Sequence, residues 1–199
     1  MPSIHSLRTP VSDGDLEPVK VGDTLYISGV IVTARDSAHR RLVVEGVRPP
    51  VSLEGYAVFH AGPVVKRRGR GWEAVSIGPT TSARMEPYEA EFIERTGVKA
   101  IVGKGFMGER TAEACRRHRC IVAMFPGGCG ALASEYVKEV LEVYWLDLGM
   151  PEALWVLKVE GFGPLIVTID VHGNNLFNER IEEVRRRARL VKNMMLNQL

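Results

Sequence analysis

A chain of 199 residues, 45% of them hydrophobic, can bury one substantial core without help from disulfides. A formal charge of only +2, with the basic residues near the C-terminus interleaved with acids in ERIEEVRRRARLVK, argues against a nucleic-acid partner. No apolar run approaches the ~20 residues of a membrane-crossing helix, nothing at the N-terminus resembles a cleavable leader, and Cys115, Cys120 and Cys129 make an odd count; the expected setting is a reducing cytoplasm with no membrane partner.

In chain order, the turn residues SDGD and VGD precede a β-branched run, TLYISGVIVTARD, that reads as a strand. Arg35-Asp36-Ser37-Ala38-His39-Arg40-Arg41 follows. A charge run of this kind is ordinarily a solvated turn, yet it gathers a guanidinium, a carboxylate and an imidazole, groups that bind carboxylates and move protons. The short apolar runs GYAVFH, GPVVK and WEAVSIG, broken by glycines and by KRRGRG, predict a small β-rich layer. From Arg84 the pattern changes. MEPYEAEFIERTG has helical spacing and a terminal glycine, VKAIVG reads as a strand, GERTAEACRRHR as a helix and CIVAMF as a strand, the alternation of a parallel α/β sheet. CGALASEYVKEV then predicts a helix, EVYWLD, ALWVLKV and PLIVTID predict strands, and an amphipathic helix closes the chain over about 175–197. With no repeat and no dividing linker, residues 1–199 read as one layered β/β/α domain.

Four motifs invite chemistry. Gly103-Lys104-Gly105-Phe106-Met107-Gly108 matches G-x-G-x-x-G between a predicted strand and helix, but the next strand ends in Met124-Phe125-Pro126 where a dinucleotide fold expects an acid for the ribose. A nucleotide-dependent oxidoreductase is therefore the weaker reading, and Lys104 between two glycines is read as an anion contact. FPGGCGALA is either a tightly packed strand-to-helix turn or a second ligand loop. The spacing Cys115-x4-Cys120-x8-Cys129 suggests an iron–sulfur site, but the predicted elements put one cysteine in a helix, one in a strand and one in a loop. His172, in DVHGNN, reads as part of a turn into a helix cap.

Taken together, RDSAHRR, GPTTSARM, GKGFMG and LGMPEALWVLKVEGFGPLIVTIDVHGNNLF resemble, in order and spacing, the β subunit or C-terminal domain of class I fumarate hydratases and L-tartrate dehydratases. The resemblance covers nearly the whole chain. It implies a swivelling β/β/α domain and a hydro-lyase acting on a small dicarboxylate. It also implies a cysteine-bearing α subunit, in an α2β2 assembly, that holds a [4Fe–4S] cluster whose open iron acts as a Lewis acid. By motif match, Arg35, Arg84 and Lys104 would clamp substrate carboxylates, Thr81 would hydrogen-bond substrate, and Thr80 would be the base, helped by Asp36 or His39. Two departures from the pattern, Phe106 and the run Gly127-Gly128-Cys129-Gly130, bear on the pocket. Fumarate hydration is the first reading, with tartrate dehydration the alternative and a non-catalytic regulatory subunit the bland competitor.

Overall fold

The computed structural model describes residues 1–69 and 71–196. Strand β1 (Ile4–Arg8), a single helical turn α1 (Asp13–Leu16) and β2 (Thr24–Thr33) open the fold, and β1 pairs with β2 in parallel. Helix α2 (Asp36–Val43) leads to β3 (Ala57–Phe59), and a hairpin of β4 (Ala61–Arg68) and β5 (Gly71–Pro79) forms a separate two-stranded sheet. Helix α3 (Glu86–Thr96), β6 (Ala100–Gly103), α4 (Glu109–His118) and β7 (Ile121–Met124) supply the parallel α/β alternation. The chain finishes with α5 (Gly130–Glu135), β8 (Val137–Tyr144), β9 (Leu154–Ile169) and α6 (Leu176–Leu196). It is a mixed α/β protein. No described helix is long and apolar enough to cross a membrane.

The main sheet has the order β1-β2-β3-β6-β7-β9-β8, and β9 pairs back onto β2. The pairings β2–β3–β6–β7–β9–β2 therefore close on themselves. Period-two alternation then sends residues to opposite sides. Leu25, Ile27, Ala57, Phe59, Ala100, Val102, Ile121, Ala123, Trp155 and Leu157 share one core with hairpin residue Ile77. Val32, Val58, Ile101, Val122 and Val156 share the other with Leu42 of α2, Phe92 and Ile93 of α3, and Cys115 of α4. Parallel neighbours need crossover connections, and α3 and α4 provide them on this second side. Consequently the carboxyl ends of β3, β6 and β7 line one edge, where α/β sheets place their ligands.

Three local expectations change. The run Arg35–Arg41, read as a solvated turn, is mostly helix, because Ala38, His39 and Leu42 of α2 face the core while the Ser37 N–H donates to the Glu152 carboxylate at 2.9 Å. The helix expected through CGALASEYVKEV stops at Glu135; Val137–Tyr144 instead pairs with β9 as an edge strand. ALWVLKV and PLIVTID belong to one sixteen-residue strand, with Gly161 at φ +62° between them. The C-terminal helix, in contrast, begins as read: the Asn175 side chain accepts the N–H groups of Phe177 and Asn178. Residue 197, the expected end of that helix, lies outside the described residues.

Candidate active site at the carboxyl edge of the sheet

The segment Gly78–Met85 leaves β5 and is stitched to the loop after β6. Thr80 N–H donates to the His60 carbonyl at 2.7 Å, Lys104 N–H to the Thr80 carbonyl at 3.2 Å, and Ser82 N–H to the Lys104 carbonyl at 2.9 Å. Gly103 is required at this contact, since a Cβ there would overlap the Ser82 hydroxyl. Thr80, Thr81 and Lys104 are thus neighbours through backbone pairing alone.

Side chains complete the rim. Arg84 Nη2 donates to Thr80 Oγ1 at 2.5 Å, and its Nε and Nη2 fork onto Asp36 at 3.0 and 2.9 Å. No partner among the described residues takes Nη1. Arg84 and Asp36 are 48% and 38% exposed, so the pair stands at the surface. Arg35 turns the other way, with Nε 3.2 Å from Glu152 Oε1 and Nη2 4.0 Å from Asp36. Its guanidinium rests on Gly62, where a Cβ would lie 2.6 Å from Nη1. The Lys104 stem packs against Gly127, and among the described residues no carboxylate lies within ion-pair distance of its ammonium. Asp36 therefore anchors Arg84, and among the described residues no hydrogen bond joins it to Thr80.

His39 does not join this rim. Its ring is fully buried and stacked on Phe92 at 4.1 Å, with Nδ1 2.9 Å from the Arg35 carbonyl and Nε2 3.4 Å from Glu89. His60, also fully buried, meets the His39 ring edge to face with centroids 5.1 Å apart, its Nε2 3.2 Å from the same carboxylate oxygen and its Nδ1 3.1 Å from Ser82 Oγ. Burial alone would raise the Glu89 carboxyl, but the two imidazoles outweigh it and hold it at about 2; burial pushes the His60 imidazole down. This inner cluster touches both rim elements, at the Arg35 carbonyl and the Ser82 hydroxyl.

The glycine loop does not present a vacant helix terminus. Gly108, at the start of α4, donates its N–H to Glu86 Oε2 at 2.6 Å, and the Thr111 hydroxyl donates to the same oxygen at 2.8 Å. A Cβ at Gly108 would lie 2.7 Å from Glu86 Oε1, so the glycine makes room for an internal carboxylate where a dinucleotide fold seats its pyrophosphate. Phe106 is 55% exposed, its ring 5.9 Å from Phe177. In FPGGCGALA, Gly130 packs against Ser76 and Gly78 of β5, the close-packing reading of that turn. His172 lies in the turn before α6, as read from the sequence, beside Lys20 and Glu17.

The cysteines do not suit an iron–sulfur cluster. Cys115 and Cys120 are buried in the core beneath the helices, whereas Cys129 packs against the core on the opposite side of the sheet. The neighbouring Cys120 thiol, together with burial, pushes the Cys115 thiol well above its ordinary range, away from the thiolate that iron needs.

Sequence reading missed Glu152, His60, Ser82 and Glu89. Glu152 lies 115 residues from its partner Ser37, and no local pattern marks it. Glu89 was legible: it occupies the face of α3 defined by Met85, Phe92, Ile93 and Thr96, where an isolated acid signals a buried partner.

A parallel α/β sheet with polar loops at its carboxyl edge is a common enzyme frame, and comparison with known proteins narrows it. The family profile described as Fumarase C-terminus matches residues 4–180, and the chain belongs to that family. It is 55% identical over 174 residues to the L(+)-tartrate dehydratase subunit beta of Escherichia coli strain K12, covering 87% of this chain and 86% of that one. A Methanocaldococcus jannaschii protein provisionally named L(+)-tartrate dehydratase subunit beta is 46% identical over 169 residues, 83% of this chain and 87% of its own. A Geobacillus stearothermophilus protein provisionally named class I fumarate hydratase is 37% identical over 181 residues, 90% of this chain but 34% of that longer one.

Proposed function

We propose that this chain is the β subunit of an iron–sulfur hydro-lyase that converts L-tartrate to oxaloacetate, which reverses the order of the two substrates read from the sequence. The observation that carries the choice is the 55% identity, over most of both chains, to a tartrate dehydratase β subunit, against 37% to the fumarate hydratase relative. The cysteine arrangement supports placing the [4Fe–4S] cluster in a cysteine-bearing α subunit, and the subunit-beta names of the relatives support such a partner; an α2β2 cytoplasmic complex is the assembly we propose. The self-closing strand pairings and the two cores support reading the chain as one swivelling β/β/α domain.

This chain contributes carboxylate capture and proton handling. Lys104 and the outer Nη1 of Arg84 present cations to the substrate carboxylates and Thr81 presents a hydroxyl, while Arg35, read as a third clamp, would have to leave its contact with Glu152 to reach them. Thr80, as its alkoxide, takes the proton from one substrate carbon as hydroxide leaves the neighbouring carbon; that proton and the hydroxide together make the water lost, and the enol so formed rearranges to oxaloacetate. A threonine hydroxyl is a weak base by itself, but a guanidinium donor at 2.5 Å stabilises its deprotonated form. Asp36 fixes that guanidinium by its two-point contact, which makes it a positioning residue. His39, buried behind Arg35, supports the rim from beneath.

The test is anaerobic co-expression with the companion subunit and assay with both tartrate isomers, malate and fumarate. The proposal expects turnover of L-tartrate in preference to malate. Preference for malate and fumarate would restore the first reading, and activity of this chain without iron would exclude both.

A further inference from the structure

We propose that His39, His60 and Glu89 form a closed site for a divalent first-row metal ion of the zinc class, separate from the companion subunit's cluster. The ligand atoms of the three residues lie within 4.8 Å of one another, and all three side chains are fully buried. Among the described residues, His39 Nε2, His60 Nε2 and both Glu89 oxygens are buried without a hydrogen-bond partner. Four buried atoms without a partner, in three side chains whose ligand atoms lie this close together, point to an occupant, because a buried polar atom ordinarily has a partner.

The distances alone do not make hydrogen bonds. Glu89 Oε2 lies 3.4 Å from His39 Nε2 and 3.2 Å from His60 Nε2, yet neither contact has the alignment of an N–H···O bond. An ion bonded at about 2.0–2.2 Å to imidazole nitrogen and carboxylate oxygen sets tetrahedral neighbours roughly 3.3 Å apart and off each other's bond axes. The remote ring nitrogens agree. His39 Nδ1 faces the Arg35 carbonyl, which can only accept, so this nitrogen carries a proton and Nε2, turned toward the carboxylate, is the ring atom left to coordinate. His60 Nδ1 faces the Ser82 hydroxyl, which can accept in the same way. A metal-bound imidazole is held by this kind of outer hydrogen bond.

Two imidazoles and a carboxylate select zinc-class ions over calcium or magnesium, and Glu89 binding through both oxygens closes four-coordination. With the ligands fully buried and no position open to substrate, the ion's role is structural. It would fasten α2, the residue after β3 and α3 directly beneath the rim, where Arg35 and Ser82 supply the outer contacts.

The full chain, expressed in zinc-supplemented medium and purified without chelator, is expected to hold about one zinc per chain, falling below about a tenth in Glu89→Gln and His60→Asn but not in Cys129→Ser. Cobalt in place of zinc should give visible ligand-field bands without sulfur-to-metal charge transfer. Strong chelator should lower the Tm of the parent chain and leave that of Glu89→Gln unmoved. If the variants do not fold, the cobalt spectrum of the parent chain decides alone. A parent chain that binds neither zinc, cobalt nor manganese, a sulfur-ligated metal, or a His39 ring protonated on both nitrogens overturns the proposal.

Discussion

The turn Gly78–Met85 faces two environments within a few residues. Thr80 and Arg84 look outward to a rim where charges are half exposed and one guanidinium edge is unpaired among the described residues; Ser82 looks inward to His60 and Glu89, where nothing is exposed. The difference teaches which polar groups are free to act. Rim groups can exchange a protein partner for a ligand at modest cost, since exposed pairs contribute little to stability. Inner groups cannot, because an uncompensated buried charge is costly.

Substitutions should therefore separate activity from stability. The largest effect is expected for Thr80→Val, which keeps shape and removes the hydroxyl: a loss of roughly 10²- to 10⁴-fold in kcat with unfolding stability within about 0.5 kcal/mol of the parent. Steady-state kinetics and urea titration on the same preparation check both halves. Glu89→Leu should do the reverse in kind, removing ~3–5 kcal/mol of stability by leaving His39 Nε2 and His60 Nε2 buried with no polar group facing them, as a shift in the denaturation midpoint. Arg84→Lys keeps the charge but loses the two-point contact with Asp36, and a rise in KM of about tenfold is expected.

Smaller effects should follow away from the rim. Gly108→Ala crowds the Glu86 carboxylate that holds the start of α4, at a cost of about 1 kcal/mol, measurable by thermal melting. Asp23 gives a pH signature. Burial would raise its carboxyl, but the N–H groups of Ser3 and Lys20 and the His5 ring outweigh this and hold it below its ordinary value. A lowered folded value means stability that is fully present above the ordinary carboxylate range and lost as pH falls through the folded one. Stability curves of the parent and Asp23→Asn should converge in acid and separate toward neutrality; parallel curves would remove Asp23 from the account.

Much of the frame was legible because local pattern and tertiary role agree. The α3–β6–α4–β7 run has clean helical and strand periods with Gly97 ending α3 in the left-handed region. The pattern failed where pairing decided the outcome. VKEVLEVY serves an edge strand or an amphipathic helix equally well until β9 is beside it. RDSAHRR looked solvated because its charges dominate, yet its small and apolar residues turn to the core and a distant glutamate satisfies its first turn. For the site, the family resemblance gathered Thr80, Thr81, Arg84 and Lys104, and the backbone bonds between two loops now give that grouping a physical reason. His39 was placed with the rim because it lies three residues from Asp36, but helical geometry turns it inward, onto Phe92 and Glu89.

The most direct measurement is kcat/KM for L-tartrate of the reconstituted complex carrying Arg84→Ala, with cluster content matched to the parent. Losing a cation that contacts the Thr80 hydroxyl and, in the proposed role, the substrate carboxylate should cost ~2–5 kcal/mol, roughly 30- to 4,000-fold. A complex that turns over at the parent rate would contradict the claim that this rim binds the substrate and handles its proton.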